Sequence, residues 1–194
     1  MKKFIVENLK TLFYALIVAL IIRSFLFQPF YIPSSSMEPN LLIGDRLFVS
    51  KYSYGYSRHS LPFSPMILDK RILAHKPSAG DVIVFKTPSD DRTDYVKRLI
   101  GIPGDKIQII GGNLHINENK VEKVRIENLF NVSCGKEFID VNFYRETLPN
   151  GRSYITVYKK NGSMQNTDVY IVPKDHYFFL GDNRDCSKDS RFLS

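Results

Sequence analysis

The sequence predicts a mostly β protein, with one antiparallel β-sheet domain carried by a single N-terminal transmembrane helix. Three observations carry this. Only one long apolar run occurs, LFYALIVALII at residues 12–22. From Asp45 onward, short runs rich in β-branched and aromatic residues alternate with turn residues, the rhythm of antiparallel strands. After Ile22 no stretch has the spacing of a long amphipathic helix.

The elements follow in chain order. MKKFIVENLK places three lysines ahead of the apolar run. Phe4 to Val6 before the run, or Phe25 to Phe27 after it, extend it toward the roughly 20 residues a bilayer core requires, and Lys10 and Arg23 can snorkel to the headgroups. A cleavable leader would continue with small residues of A-x-A type. This chain continues Arg-Ser-Phe-Leu-Phe-Gln-Pro, so an uncleaved anchor is expected. Lys2, Lys3 and Lys10 before the span, against Arg23 just after it, put the N-terminus in the cytoplasm and the rest outside. The apolar, aromatic FLFQPFYI suits the headgroup layer.

Strands are expected in RLFVSKY, DVIVFK, DYVKRLIGI, DKIQII, LHINEN, EKVRI, YRET, SYITVYK, DVYIV and HYFFLGD. Gly111-Gly112 before Asn113, and Pro149-Asn150-Gly151, mark hairpin turns. SYGYSRHSLPFSP, residues 53–65, reads as a surface loop. The expected division is 1–28 for the cytoplasmic N-terminus and anchor and 29–194 for a β-rich extracytoplasmic domain.

Composition narrows the function. With 43% apolar residues in 194, the chain can bury a core and is not disordered. The net charge of +7 is spread along the chain with no nucleic-acid-binding motif, so anionic lipid is the expected counterpart and nucleic acid is not. Two cysteines without CxxC, and four histidines without metal-ligand spacing, give no metal or cofactor expectation. Whether Cys134 and Cys186 pair is left open, and the sequons at Asn131 and Asn161 matter only in a glycosylating host.

The chemistry begins with a lysine. Strand neighbours point to opposite faces, so in DYVKRLIGIPGD the side chains of Lys97 and Arg98 diverge. Either both are solvated on an edge strand, or one is covered. A covered lysine loses its proton more easily and becomes a general base near neutral pH. Serine is the nucleophile such a base would activate. There is no GxSxG elbow; Ser133-Cys-Gly-Lys136 fits S-x-x-K but lacks its companion motifs, and His176 in KDHYFFL reads as a strand residue.

SSSMEP at 34–39 followed by LLIGD resembles the S-x-S-M-x-P box of bacterial type I signal peptidases, membrane-bound proteases with a Ser/Lys dyad. Three further boxes occur in that family's order: AGDVIVFK at 79–86, DYVKRLIGIPGD at 94–105 and GDNRDCSKDSR at 181–191. The resemblance implies Ser36 as nucleophile and Lys97 as general base, with the Ser34 hydroxyl and the Ser36 backbone N–H forming an oxyanion hole. It implies that Ser187 hydrogen-bonds and orients Lys97, that Asp182, Arg184, Asp189 and Arg191 buttress the site, and that Arg98, facing away from Lys97, pairs with one of those aspartates. The implied substrates are preproteins carrying signal peptides, cut after small residues at the first and third positions before the bond. The implied setting is the bacterial cytoplasmic membrane, catalytic domain outside, near the secretion translocon. Ser35, Asn40, Ala79 and Cys186 depart from the family's usual residues, and the Gly-x-Val-Pro segment that normally follows SRFLS is absent, so a C-terminally truncated domain is expected. The non-enzymatic rival is a tethered β domain that binds exported chains by strand addition. A self-cleaving repressor-like Ser/Lys protease would need a DNA-binding domain where the anchor lies.

Overall fold

The structure is a computed structural model, and it describes residues 2–61, 64–65, 70–87, 89–127, 129–135, 137–160 and 166–192. The chain forms two compact units, Met1–Tyr31 with Arg46–Lys76, and Ile32–Asp45 with Pro77–Ser194.

In the first unit, helix α1 (Lys2–Ile21) runs into a π-helical turn at Ile22–Leu26. The stretch Lys3–Leu26 is long and apolar enough to cross a membrane, and within it only Ser24 is buried by the protein. An α-helix satisfies its backbone internally, and one apolar on all faces with no protein cover is suited to lipid. The chain then forms β1 (Phe27–Tyr31), paired antiparallel with β2 (Arg46–Ser50) from Phe27↔Ser50 to Tyr31↔Arg46. The segment read as lying in the headgroup layer is therefore a strand. Pro29 obscured it, since proline lacks the ladder donor, but in a two-stranded sheet every strand is an edge that tolerates it. The loop expected at 53–65 contains a 3₁₀ turn at Arg58–Ser60 whose N-terminus is closed by a Ser57/Ser60 capping box; residues 62 and 63 lie outside the described set.

The second unit is antiparallel β. Its strands are β3 (Val82–Lys86), β4 (Asp94–Gly101), β5 (Lys106–Ile110), β6 (Asn113–Ile116), β7 (Asn119–Lys120), β8 (Glu122–Ile126), β9 (Val132–Cys134), β10 (Glu137–Ile139), β11 (Val141–Thr147), β12 (Ser153–Lys159), β13 (Tyr170–Ile171) and β14 (Phe178–Leu180). They assemble as β14-β4-β3, β13-β5-β6-β7, β12-β11-β8 and the hairpin β9-β10. Gly111 and Gly112 both have positive φ between the paired Ile110 and Asn113, the geometry a two-residue hairpin turn demands. One core gathers Ile100, Ile107, Leu114, Val172, Phe178 and Leu180, and a second Val132, Val141, Phe143 and Val157.

Two readings need correction. β4 is the central strand of its sheet and not an edge, and both Lys97 and Arg98 are buried, where alternation expected at most one of them covered: the Arg98 guanidinium lies 4.1 Å from the Tyr154 ring centroid. Alternation gave the faces, and here both are covered: Lys97 meets the Ser36 turn, and Arg98 meets Tyr154 and Asp182. His176 is exposed and precedes β14, which begins at Phe178.

The charge is not evenly spread either. The first unit holds ten lysines and arginines against Glu7 and Asp69, a net of +8, whereas the second holds 17 against 18 acids, a net of −1.

Candidate active site

Every sequence-predicted site residue falls in the second unit. Ser36 sits in a 3₁₀ turn, Ser35–Met37, that opens from the extended Ser34. The turn is pinned by its own chemistry. Met37 is buried, and its carbonyl accepts the N–H groups of Asn40 and Leu41, while the N–H of Ile32 donates to the Asp45 carbonyl and closes the loop. Glu38 is buried with its carboxylate accepting the Ser133 N–H at 2.9 Å and the Ser133 hydroxyl at 3.2 Å.

Lys97 reaches this turn from β4. Its Nζ lies 2.6 Å from Ser36 Oγ and 3.1 Å from the Val96 carbonyl oxygen. Only 5% of the lysine is exposed. Burial lowers its pKa from 10.5 to about 8, against the opposing pull of the Asp189 and Asp182 carboxylates. Ser34 is exposed, with its hydroxyl 3.4 Å from Ser36 Oγ.

The third contributor is the turn after β14. Asp182 holds Arg98 in a two-pronged ion pair, Nε at 2.8 Å and Nη2 at 2.7 Å, and also accepts the Asn40 amide at 2.7 Å. Arg98 further donates to the Gly80 carbonyl at 2.8 Å. Arg184 pairs in the same forked way with the buried Glu146 at 2.9 and 2.6 Å, where the Tyr158 hydroxyl also donates. Asp189 accepts the Gly181 N–H at 3.0 Å and pairs with Arg191 at 2.7 Å. Forks of this kind fix orientation as well as charge, so the turn is rigid. Ser187 differs from the expectation. Its buried hydroxyl has no hydrogen-bond partner among the described residues, so it does not hydrogen-bond Lys97; its side chain is packed against Gly181.

Sequence reasoning missed several residues that hold the pieces together. The Asn183 side-chain amide donates to the carbonyls of Ser35 at 3.1 Å and Ser133 at 3.0 Å, and its backbone N–H donates to Ser36 at 3.2 Å. Its only sequence signal was its place inside GDNRDCSKDSR. Glu38 had only its place inside SSSMEP, and Glu146 had no local signal at all. Cys134 and Cys186 form a disulfide, 52 residues apart, joining the β9–β10 hairpin to the turn that carries Asn183 and Ser187. Lys136, of the S-x-x-K pattern, and the Asn161 sequon lie outside the described residues; Ser133 itself is engaged by Glu38. No three His, Cys, Asp or Glu side chains converge as a metal site among the described residues.

The disulfide closes a long loop, and such cross-links contribute about 2–4 kcal/mol. Reduction with dithiothreitol is therefore expected to lower the thermal midpoint by several degrees. An unchanged midpoint would mean that Asn183 and Glu38 suffice to hold the hairpin.

The arrangement is a serine hydroxyl, a dry amine that loses its proton near pH 8, a second hydroxyl at the rim and a buttressed turn behind them. Such a set can deprotonate the serine for attack on a carbonyl. The family model described as "Signal peptidase, peptidase S26" matches residues 5–194. The chain is similar to the Signal peptidase I of Rickettsia conorii, 44% identical over 92% of this chain and 69% of the relative, and to that of Rickettsia prowazekii, 43% identical over the same shares. The Signal peptidase I of Rickettsia canadensis is 42% identical over 95% of this chain and 72% of the relative. A crystal structure of a signal peptidase I from Enterococcus faecalis aligns with a TM-score of 0.33 and 27% identity, covering 61% of this chain and 87% of that one.

Proposed function

The chain belongs to the signal peptidase family, peptidase S26, and from that premise we propose that it removes signal peptides from preproteins by a Ser36/Lys97 acyl-enzyme mechanism while anchored in a membrane by Lys3–Leu26. The observation that carries the mechanism is the 2.6 Å approach of a buried lysine amine to Ser36 Oγ. Neutral Lys97 accepts the Ser36 proton as Oγ attacks the scissile carbonyl. The oxyanion is held by the Ser36 backbone N–H and the Ser34 hydroxyl. The protonated lysine then gives its proton to the leaving amine, and water, activated by the same amine, hydrolyses the ester.

Asp182 and Asp189 act at a distance. Their charges oppose the desolvation of Lys97 and keep its pKa at about 8 instead of lower, while their ion pairs to Arg98 and Arg191 fix the turn against which Ser36 rests. The membrane setting rests on the exposed apolar helix, and an extracytoplasmic site fits a disulfide, since such bonds persist in oxidising compartments. Ser36 lies 13 residues past Arg23, which limits it to roughly 45 Å from the helix exit even on a fully extended chain. The cleavage site of a membrane-inserted signal peptide lies within that reach.

The test is cleavage of a radiolabelled preprotein by the chain in vesicles, with the product's new N-terminus sequenced. A cut after a small-x-small tripeptide is expected, with kcat/KM rising about tenfold per pH unit up to an apparent pKa near 8, because only deprotonated Lys97 is competent. Binding without cleavage would favour the tethered strand-addition domain. A flat profile between pH 6 and 9 would remove Lys97 as the base.

A further inference from the structure

The charge partition between the two units has a spatial counterpart at the helix exit. Beyond the span, the first unit carries Arg46, Lys51, Arg58, Lys70, Arg71 and Lys76, with Asp69 the one acid in that stretch, and Arg23 stands at the end of the span itself. The fold draws several of these cations to the exit. The Lys51 N–H donates to the Leu26 carbonyl at 2.9 Å, and the Tyr56 hydroxyl donates to that of Phe25 at 2.9 Å. Arg71 donates from Nη1 to the Gly55 carbonyl at 2.9 Å, one residue from Tyr56. Lys51 Nζ is held at 2.5 Å by the Ser60 carbonyl. There burial, and then the like charge of Arg23, lower its pKa.

Around these cations lie exposed aromatic and apolar side chains: Phe25, Phe27, Tyr52, Phe48, Ile72 and Leu73. Rings beside lysines and arginines at a helix exit are the composition of a headgroup layer. Like charges gathered against one another cost free energy unless an anion meets them. A neutral headgroup does not relieve that cost, and an anionic one does.

We propose that the Arg23, Lys51 and Arg71 cluster is a docking surface for anionic phospholipid headgroups in the leaflet where the helix emerges. The inference rests on the membrane anchor proposed above and adds lipid selectivity to it. Each cation at an anionic surface contributes about a fivefold preference, lost when salt screens it.

The sequence has no tryptophan, so Tyr52→Trp gives a single reporter beside Lys51. The full chain carrying it is placed in vesicles containing either brominated phosphatidylglycerol or brominated phosphatidylcholine at equal mole fraction, and quenching is compared at low and high salt. At least tenfold preferential quenching by the anionic lipid is expected at low salt, falling toward parity at high salt. Arg23→Gln, Lys51→Gln and Arg71→Gln together should abolish the preference. Lys51→Arg with Arg71→Lys, which keep the charge, should retain it. Lys2→Gln, Lys3→Gln and Lys10→Gln, at the other end of the helix, should leave it unchanged.

Equal quenching by both lipids at low salt overturns the inference. So does a preference that survives the three neutralising substitutions, that is lost in the charge-keeping pair, or that vanishes with the N-terminal lysines. Flotation of the same vesicles after an alkaline wash separates the two levels. A chain that fails to float lacks the anchor, whereas one that floats without lipid preference lacks only this surface.

Discussion

Ser36→Ala is expected to bring preprotein cleavage to background, and Lys97→Met is expected to lower turnover by roughly 10²- to 10⁴-fold while making the fold more stable. The two effects of the lysine substitution have one cause. Lys97 is 5% exposed, and its pKa falls from 10.5 to about 8 because burial penalises the ammonium. At 1.36 kcal/mol per unit, that shift means the folded state forgoes about 3 kcal/mol at neutral pH by holding a charged amine there. The sign follows from proton counts. Between pH 8 and 10.5 the unfolded chain binds the lysine proton and the folded chain has released it, so stability rises with pH across that window. Below about pH 8 both states hold the proton and the full penalty stands.

Methionine is unbranched and similar in length, so it fills the same channel without the penalty, and it removes the alkaline rise. Thermal unfolding in detergent at pH 7 and pH 10, beside the cleavage assay, checks both halves. If Lys97→Met were less stable than the parent at pH 7, the hydrogen bonds to Ser36 and Val96 would outweigh desolvation. If it cleaved within tenfold of the parent, the base would be another group. The double variant with Ser36→Ala should be no less active than Ser36→Ala alone, since the two residues act as a unit.

The legible parts of this molecule were those whose physics is local. Runs rich in β-branched and aromatic residues between turn residues identified β3, β4, β5 and β12, and the glycine turns at Gly111-Gly112 and Gly151 gave the β5–β6 and β11–β12 hairpins, because backbone conformation there depends on a few adjacent residues. The apolar span was legible for the same reason. What escaped was long-range. Asn183 touches Ser35 across 148 residues and Glu38 touches Ser133 across 95, and no periodicity encodes such pairs. The short strands β9 and β10 have too few residues to show alternation. Arg98 was assigned to the correct side of its strand and to an aspartate partner; what alternation could not show is that both faces of β4 are covered. Strand geometry tells which way a side chain points, whereas burial of that face depends on β14 and on Tyr154, which arrive from the far end of the sequence.

Gly181→Ala is expected to reduce kcat by about 10²-fold with little change in KM, the scale at which a misplacement near 1 Å acts. Nothing in the backbone torsion of Gly181 calls for glycine; the surroundings do. A Cβ there would overlap the Ser187 side chain and stand 2.5 Å from the carbonyl oxygen of Ser36. A rotamer change can move the Ser187 Oγ but not its Cβ, and the carbonyl cannot yield either, because it belongs to the backbone of Ser36. Nor can Gly181 move freely, since its N–H is bound to Asp189 and its carbonyl to Arg184, whose partner Glu146 is fully buried. The added methyl must therefore push the Ser36 turn away from the terminal turn, shifting Oγ relative to Lys97.

Gly151→Ala is the control. Gly151 has φ of 82° and open space at its Cβ, so alanine there is strained by about 1 kcal/mol and displaces nothing near the site. Gly151→Ala should lower the thermal midpoint slightly and leave kcat intact. A Gly181→Ala enzyme with kcat within threefold of the parent would show that the turn has slack, and that Asn183, not the close approach of two backbones, sets the position of Ser36.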